Sequence, residues 1–499
     1  MMKMKKHTLV TLFLALVTLL PTLISCASGG GTETTSASNT DTTATTTAQE
    51  TEETELMPDI PDLDFGGEEF MFLTSDENDD NGSDWMTYDV WVENTTGDVI
   101  NDAVFERNLY LEDTYNIKMA EFQGVTDTLA KKDVSAGTGE YDAVMTNIVD
   151  AAAMAQEGYT ISMYDLPYID LTKPWWDQGC SKDLELYGEI YFATGDITVI
   201  DNDATWVLMF NKQIYEDNGF DNIYDRVKEY DWFYDDMLEM MSAAALDVNG
   251  DGKMAHADDI FGFATSDDSG QGLFYASGEK LVYRDADGSP YLCTAPERMS
   301  GVVEKAGQMM SDKSITVLTS VVGTSDGLRH LFEEGRALFF GEVMQCITRM
   351  RESETDFGLV PWPRYDESQE NYCHFVHGTA GKVVTVTSAV QNQEMSGAIV
   401  EAMAAKSKYT LTPAYYDVAI TRKSMRDEES IEMLDIILQD RRYDLGYIYN
   451  WGNMYSNIRS IIIGGKDTFA STWEKGAAAF DTAMEKTMAK YEALAEQRG

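Results

Sequence analysis

The sequence predicts an α/β fold in two lobes. Three observations carry that expectation. Strand-like and helix-like apolar patterns alternate from about Asp59 onward, one strand-like run is apolar on both faces, and 499 residues exceed what a single core usually holds. Glu69 to Thr74 reads as a first strand, followed by a polar, acidic loop from Ser75 to Asp84. Ile100, Val104, Leu111 and Tyr115 recur at helical spacing, which lays one helix face on a sheet. Asn116 to Phe122 fits a strand, Tyr141 to Met145 a shorter one, and the Ala-rich run Asp150 to Glu157 a helix. Ala204 to Phe210 is almost wholly apolar, as expected of a central strand covered on both sides. Asp231 to Leu246 reads as a helix. Lys280 to Tyr283 and Pro290 to Cys293 flank Asp285-Ala286-Asp287-Gly288, a hairpin signal. Thr468 to Glu496 is a long helix, and there is no internal repeat.

Charge narrows the function classes. With 86 acidic and 37 basic residues the net charge is −49, a surface that repels phosphate backbones and anionic lipid headgroups. Nucleic-acid binding is therefore excluded as an expectation. The 26 Tyr, 20 Phe and 9 Trp argue against general disorder.

The N-terminus supplies an address. Lys3, Lys5 and Lys6 precede an uncharged apolar run from Thr8 to Ile24, which reads as a secretory signal peptide over 1–25. It ends in Leu23-Ile24-Ser25-Cys26, which resembles a bacterial lipobox, so Cys26 is expected to carry lipid (palmitate among the acyl chains). Residues 26–58 follow as a Thr/Ser/Glu-rich segment with too little apolar surface for a core, expected to act as a flexible tether. Anchor and tether place the folded part at the extracellular face of the bacterial cell membrane.

Cys180, Cys293, Cys346 and Cys373 lack CxxC spacing and read as buried single thiols, with one bridge left open. Asp247-Val248-Asn249-Gly250-Asp251-Gly252-Lys253-Met254-Ala255-His256-Ala257-Asp258 has the spacing of an EF-hand loop. Oxygen ligands fall at Asp247, Asn249 and Asp251, with the Lys253 carbonyl and the Asp258 carboxylate completing a structural calcium site, and Gly252 makes the sharp turn. Gly323-Thr324-Ser325-Asp326-Gly327 fits G-x-S-x-G, the string of a nucleophile elbow. A helix cap by Thr324 or Ser325 explains it better, because a triad would need an acid and then a His well downstream. No catalytic residue is assigned.

Several strings together resemble one family. Asp142-Ala143-Val144 followed by Gly158-Tyr159 and Met163-Tyr164-Asp165-Leu166, then Lys173-Pro174-Trp175-Trp176-Asp177, come first. Trp206-Val207-Leu208-Met209-Phe210-Asn211-Lys212, Leu331-Phe332-Glu333-Glu334-Gly335-Arg336-Ala337 and Phe357-Gly358-Leu359-Val360-Pro361-Trp362-Pro363 follow in order. The chain resembles the extracellular solute-binding lipoproteins of bacterial ABC importers, of the carbohydrate type. That resemblance implies a two-lobed, periplasmic-binding-protein-like (type II) fold with a hinge between the lobes. Lobe 1 would comprise 59–195 plus 384–430, and lobe 2 would comprise 196–383 plus 431–499. It further implies a receptor, acting as a monomer, that delivers a sugar or oligosaccharide to permease subunits. Cleft groups would be Ser75, Thr146, Asn147, Asp203, Glu342, His377 and Trp451, the last as a stacking ring. Two readings from other classes stay open: a secreted hydrolase of cell-surface polysaccharide, and a calcium-dependent surface adhesion module.

Overall fold

Two sheets, each centred on strands with both faces buried, organise the molecule. The computed structural model describes residues 55–79, 82–286, 288–350, 353–420 and 428–496. The signal segment, Cys26 and all but the last residues of the tether lie outside them. The first sheet has the order β12-β3-β1-β2, from β1 (Glu68–Ser75), β2 (Ile117–Gly124), β3 (Ala143–Asn147) and β12 (Lys382–Thr385). β1 runs parallel to β2 and β3, and β12 runs antiparallel to β3. Alternation along β1 sends Phe70 and Phe72 into a core with Leu111 and Ile399, and Leu73 into one with Ala130 and Met154. Helices therefore cover both faces. Asp98 starts the helix Val99–Tyr115 by accepting the Ile100 and Asn101 amides, and Asn116 ends it in a left-handed conformation.

The second sheet has the order β10-β4-β9-β5-β8. Its strands are β4 (Trp206–Asn211), β5 (Phe261–Thr265), β8 (Thr316–Leu318), β9 (Ala337–Val343) and β10 (Phe357–Val360). β4 explains its own composition: Trp206, Leu208 and Phe210 enter one core, Val207 and Met209 the other. The hairpin pairs β6 (Val282–Arg284) with β7 (Pro290–Leu292). The C-terminal helix spans Phe469–Glu496. Among the described residues no helix is long and apolar enough to cross a membrane. Cys180, Cys293, Cys346 and Cys373 are buried free thiols.

Two segments cross between the sheets side by side. Ala193 bridges Val384 and Thr205 bridges Val376, both antiparallel, so 193–205 and 376–384 run in opposite directions through the junction. The expected switch back at residue 384 falls inside β12, whose Lys382 and Val383 already pair with Asn147 and Thr146. Further on, the helix Leu411–Ile420 packs on Val99–Tyr115, while Glu428–Gln439 packs on β10. A third segment then brings β13 (Arg441–Arg442) beside β11 (His374–Phe375). Arg441 is the pin of this region: its guanidinium lies 2.5 Å from Asp177, 2.9 Å from Asp201 and 2.7 Å from the Asn202 side-chain oxygen. Nearby in lobe 1 the indoles of Trp175 and Trp176 donate to the one carboxylate of Glu401, at 3.1 and 2.9 Å.

Candidate functional site

The loop leaving β1 brings lobe 1 to lobe 2. Its base is fixed by Ser75, whose buried hydroxyl lies 2.9 Å from that of Thr87. The short helix Gly82–Trp85 then places Asp84 and Trp85 against the second sheet. The Asp84 carboxylate pairs with Arg349 at 2.9 Å, and its carbonyl accepts from the Gln345 side chain at 2.6 Å. Glu342 comes from the end of β9, in register with Val207. One of its oxygens accepts from the Val343 amide at 3.0 Å; the other, Oε2, is buried with no partner. Burial, reinforced by the charge of Asp268, pushes the carboxyl up to about 7. Arg329 completes the wall from the helix Ser325–Glu333, held by Glu333 at 2.9 Å. Asp84, Trp85, Arg329, Glu342, Gln345 and Arg349 thus line an open cavity of about 130 Å³.

Beside it lies the second crossover. His377 is half-buried, its ring 6.1 Å from that of Trp206, with Nδ1 3.2 Å from the Thr379 hydroxyl. Burial lowers its pKa from the ordinary value; Asp268 opposes the shift and Arg459 adds to it. Asp268 pairs with Arg459 and so stands between the surroundings of His377 and Glu342. A larger cavity, about 430 Å³, sits behind the crossovers and includes Asp177, Asp183, Asn202 and Arg441 in its walls. Charges in its walls hold one another, Arg441 with Asp177 at 2.5 Å and Arg442 with Asp440 at 2.9 Å.

The remaining sequence-predicted cleft groups support walls. The Thr146 hydroxyl is spent on that of Thr126 at 2.7 Å, and Asn147 caps Ile148–Gln156 by accepting the Asp150 amide at 2.9 Å. Asp203 accepts from the hydroxyls of Tyr88 and Tyr415, at 2.8 and 2.9 Å. Trp451 is a correction. It is 3% exposed, with Tyr449 stacked on its face at 5.0 Å, Phe480 edge-on, and Nε1 donating to Thr487 at 2.9 Å. Packing against the C-terminal helix leaves that ring no face for a ligand. Sequence reasoning missed Trp85, Arg329 and Arg349; the only signal was an aromatic residue just past an acidic loop at a strand end.

The G-x-S-x-G string acts as a cap: Thr324 accepts the Gly327 amide at 3.0 Å and starts the helix that carries Arg329. In the calcium-like loop, Asp247 accepts the Gly250 and Gly252 amides, both at 2.7 Å, and Asn249 and Asp251 accept from Asp251 and Lys253 at 2.9 Å. Leu246 bridges Ile260 to close its base, and the buried carboxylate of Asp259, rather than Asp258, ties both ends through the Val248 and Ala255 amides. Among the described residues no group of three acidic, His or Cys side chains converges as a metal cage. The turn fits an EF-hand loop; its carboxylates face their own backbone.

Two lobes of opposed α/β sheets, joined by paired crossovers with a cavity at the junction, define the solute-binding-protein fold. The solved structures that share it include the ABC substrate-binding protein of Listeria monocytogenes in complex with cycloalternan, with a TM-score of 0.55 and 11% identity, covering 85% of this chain and 99% of that one. A sugar transporter of Rhizobium etli in an open conformation gives 0.54 and 14%, over 83% and 99%. The GacH receptor of Streptomyces glaucescens, solved unliganded and with acarbose, gives 0.51 and 13%, over 85% and 99%. No protein-family model and no curated protein matches the sequence.

Proposed function

We propose that this chain is a lipid-anchored extracellular receptor that captures a sugar between its lobes and delivers it to the permease of an ABC importer. One observation carries the reading: groups from both lobes, Asp84 and Trp85 on one side and Glu342, Arg329 and Arg349 on the other, wall a single cavity. A solute held there touches both lobes only when they are closed, so binding favours the closed state that a permease reads. Solved neighbours described with cycloalternan and with acarbose support a saccharide as the solute. The net charge of −49 suits an uncharged or cationic ligand. Calorimetry against a sugar panel tests this: binding without turnover is expected, and hydrolysis of a glycoside would replace the receptor with an enzyme.

The anchor rests on Leu23 to Cys26 and the tether that follows. Cys26→Ala is expected to shed the protein into the medium or leave it unprocessed; normal processing and retention would remove the anchor. The spacing of Asp247, Asn249, Asp251, Lys253 and Asp258, with the turn at Gly252, supports a structural calcium site. Bound there, calcium would tie down the chain after the helix Tyr234–Ala244.

A further inference from the structure

The cavity between the lobes is small, and a clasp stands at its edge. Asp84 reaches Arg349 with its carboxylate and Gln345 with its carbonyl, at 2.9 and 2.6 Å, so lobe 1 holds the helix Gln345–Arg349 of lobe 2 at two points. The side chain of Trp85 follows directly and forms one wall of the space, about 130 Å³ and open on one side. An engineered cavity of about 150 Å³ in another protein holds one benzene ring. The space here is open on one side, so one six-membered ring fills it and a second would have to lie outside, where the exposed Asp84 carboxylate meets Arg349. Its polar atoms suit a ring bearing hydroxyls. Glu342 Oε2 is an acceptor and Arg329 Nε a donor, and both are buried without a partner. Unpaired buried groups are costly, and a hydroxyl that both donates and accepts is the smallest group that serves either. Trp85 supplies the aromatic surface on which the C–H face of a sugar ring packs.

We propose that the site selects a monosaccharide over its oligomers, with the Asp84–Arg349–Gln345 clasp excluding a second ring. This rests on the sugar-receptor reading above. Chain length is thus decided by a contact between the lobes, and the ring itself by Trp85, Arg329 and Glu342. Breaking the clasp opens the cavity along the lobe junction and admits longer ligands.

The test is calorimetry on the full-length protein with glucose, galactose, mannose and xylose, each beside its disaccharide and trisaccharide homologues. The expected result is one monosaccharide bound at least tenfold more tightly than its trisaccharide. Arg349→Ala with Gln345→Ala should reduce that preference to less than threefold by improving the trisaccharide. Asp84→Asn, which keeps the shape and removes the charge, should shift it the same way. A parent protein that binds the trisaccharide as tightly as the monosaccharide overturns the ring-size inference and leaves the sugar reading standing. Undiminished preference in both clasp variants overturns the role of the clasp. Binding of no sugar in the panel brings down the receptor reading, and the inference with it.

Discussion

Trp451 shows how a residue with the right chemistry serves a different end. A tryptophan in a polar, aromatic stretch is what a sugar-binding surface uses, but here Tyr449, Phe480 and Thr487 consume the ring's face, edge and N–H. Truncating so large a buried side chain creates a cavity, so Trp451→Ala is expected to lower stability by about 3–5 kcal/mol in urea unfolding. If that variant unfolds like the parent, the ring is not part of the core. Glu401 is a second residue whose role only the fold reveals. It lies more than two hundred positions from Trp175 and Trp176 in sequence, yet its carboxylate accepts both indoles. No local pattern announces such a partner.

At the scale of elements, most of the architecture was legible. The period-2 run at β1, the helical spacing of Ile100 to Tyr115, the apolar β4 and the long C-terminal helix all form where their patterns place them. Pattern is local, and these elements are decided locally. The site was less legible because it is made where loops meet across the junction: Glu342 lines the cavity and His377 lies beside it, whereas Thr146, Asn147 and Asp203 turn out to be committed to hydroxyls and helix caps. The crossovers depend on long-range pairing in the same way. Arg441 neutralises Asp177 and Asp201 in a region where its side chain is 10% exposed. Removing one partner of a buried ion pair costs about 3–5 kcal/mol. Arg441→Gln is therefore expected to destabilise by that order and to raise hydrogen exchange between Thr194 and Asp203; unaltered exchange there would deny Arg441 a role in the hinge. For the loop at Asp247, excess calcium should raise the melting temperature of chelated protein, by mass action on the native state. Asp247→Ala with Asp251→Ala should abolish the rise. An unchanged melting curve on chelation would reduce the loop to a turn.

For the whole molecule, acid groups dominate the response to pH and salt. Burial above all pushes the carboxyls of Glu121, Glu342 and Glu401 up to about 7, from an ordinary value of 4.5. A carboxyl whose pKa is higher folded than unfolded binds more protons in the native state between those values. Stability is then fully present below about pH 4.5 on their account and declines as pH rises to about 7. Asp64, Asp170 and Asp366 shift downward, and their contribution is lost only at lower pH. Repulsion within a chain of net charge −49 acts in the same direction. Calorimetry should find a higher melting temperature at pH 5.5 than at pH 8, with added salt closing part of the gap. A melting temperature that climbs from pH 5.5 to pH 8 would contradict this balance.

The position of Trp85 has an optical consequence. Of the nine tryptophans, Trp175, Trp232 and Trp362 are fully enclosed away from the cavity wall, so their emission is set by surroundings that a ligand leaves alone. Trp85 is half-buried on the wall of the cavity, beside the charges of Asp84 and Arg349. Under the proposed function its indole would trade water for a sugar ring when the cavity fills, and would change neighbours on any parting of the lobes. The molecule therefore carries its own fluorophore at the lobe junction. A blue shift on ligand addition that disappears in Trp85→Phe would let occupancy be followed in real time, without a label and whichever sugar is added.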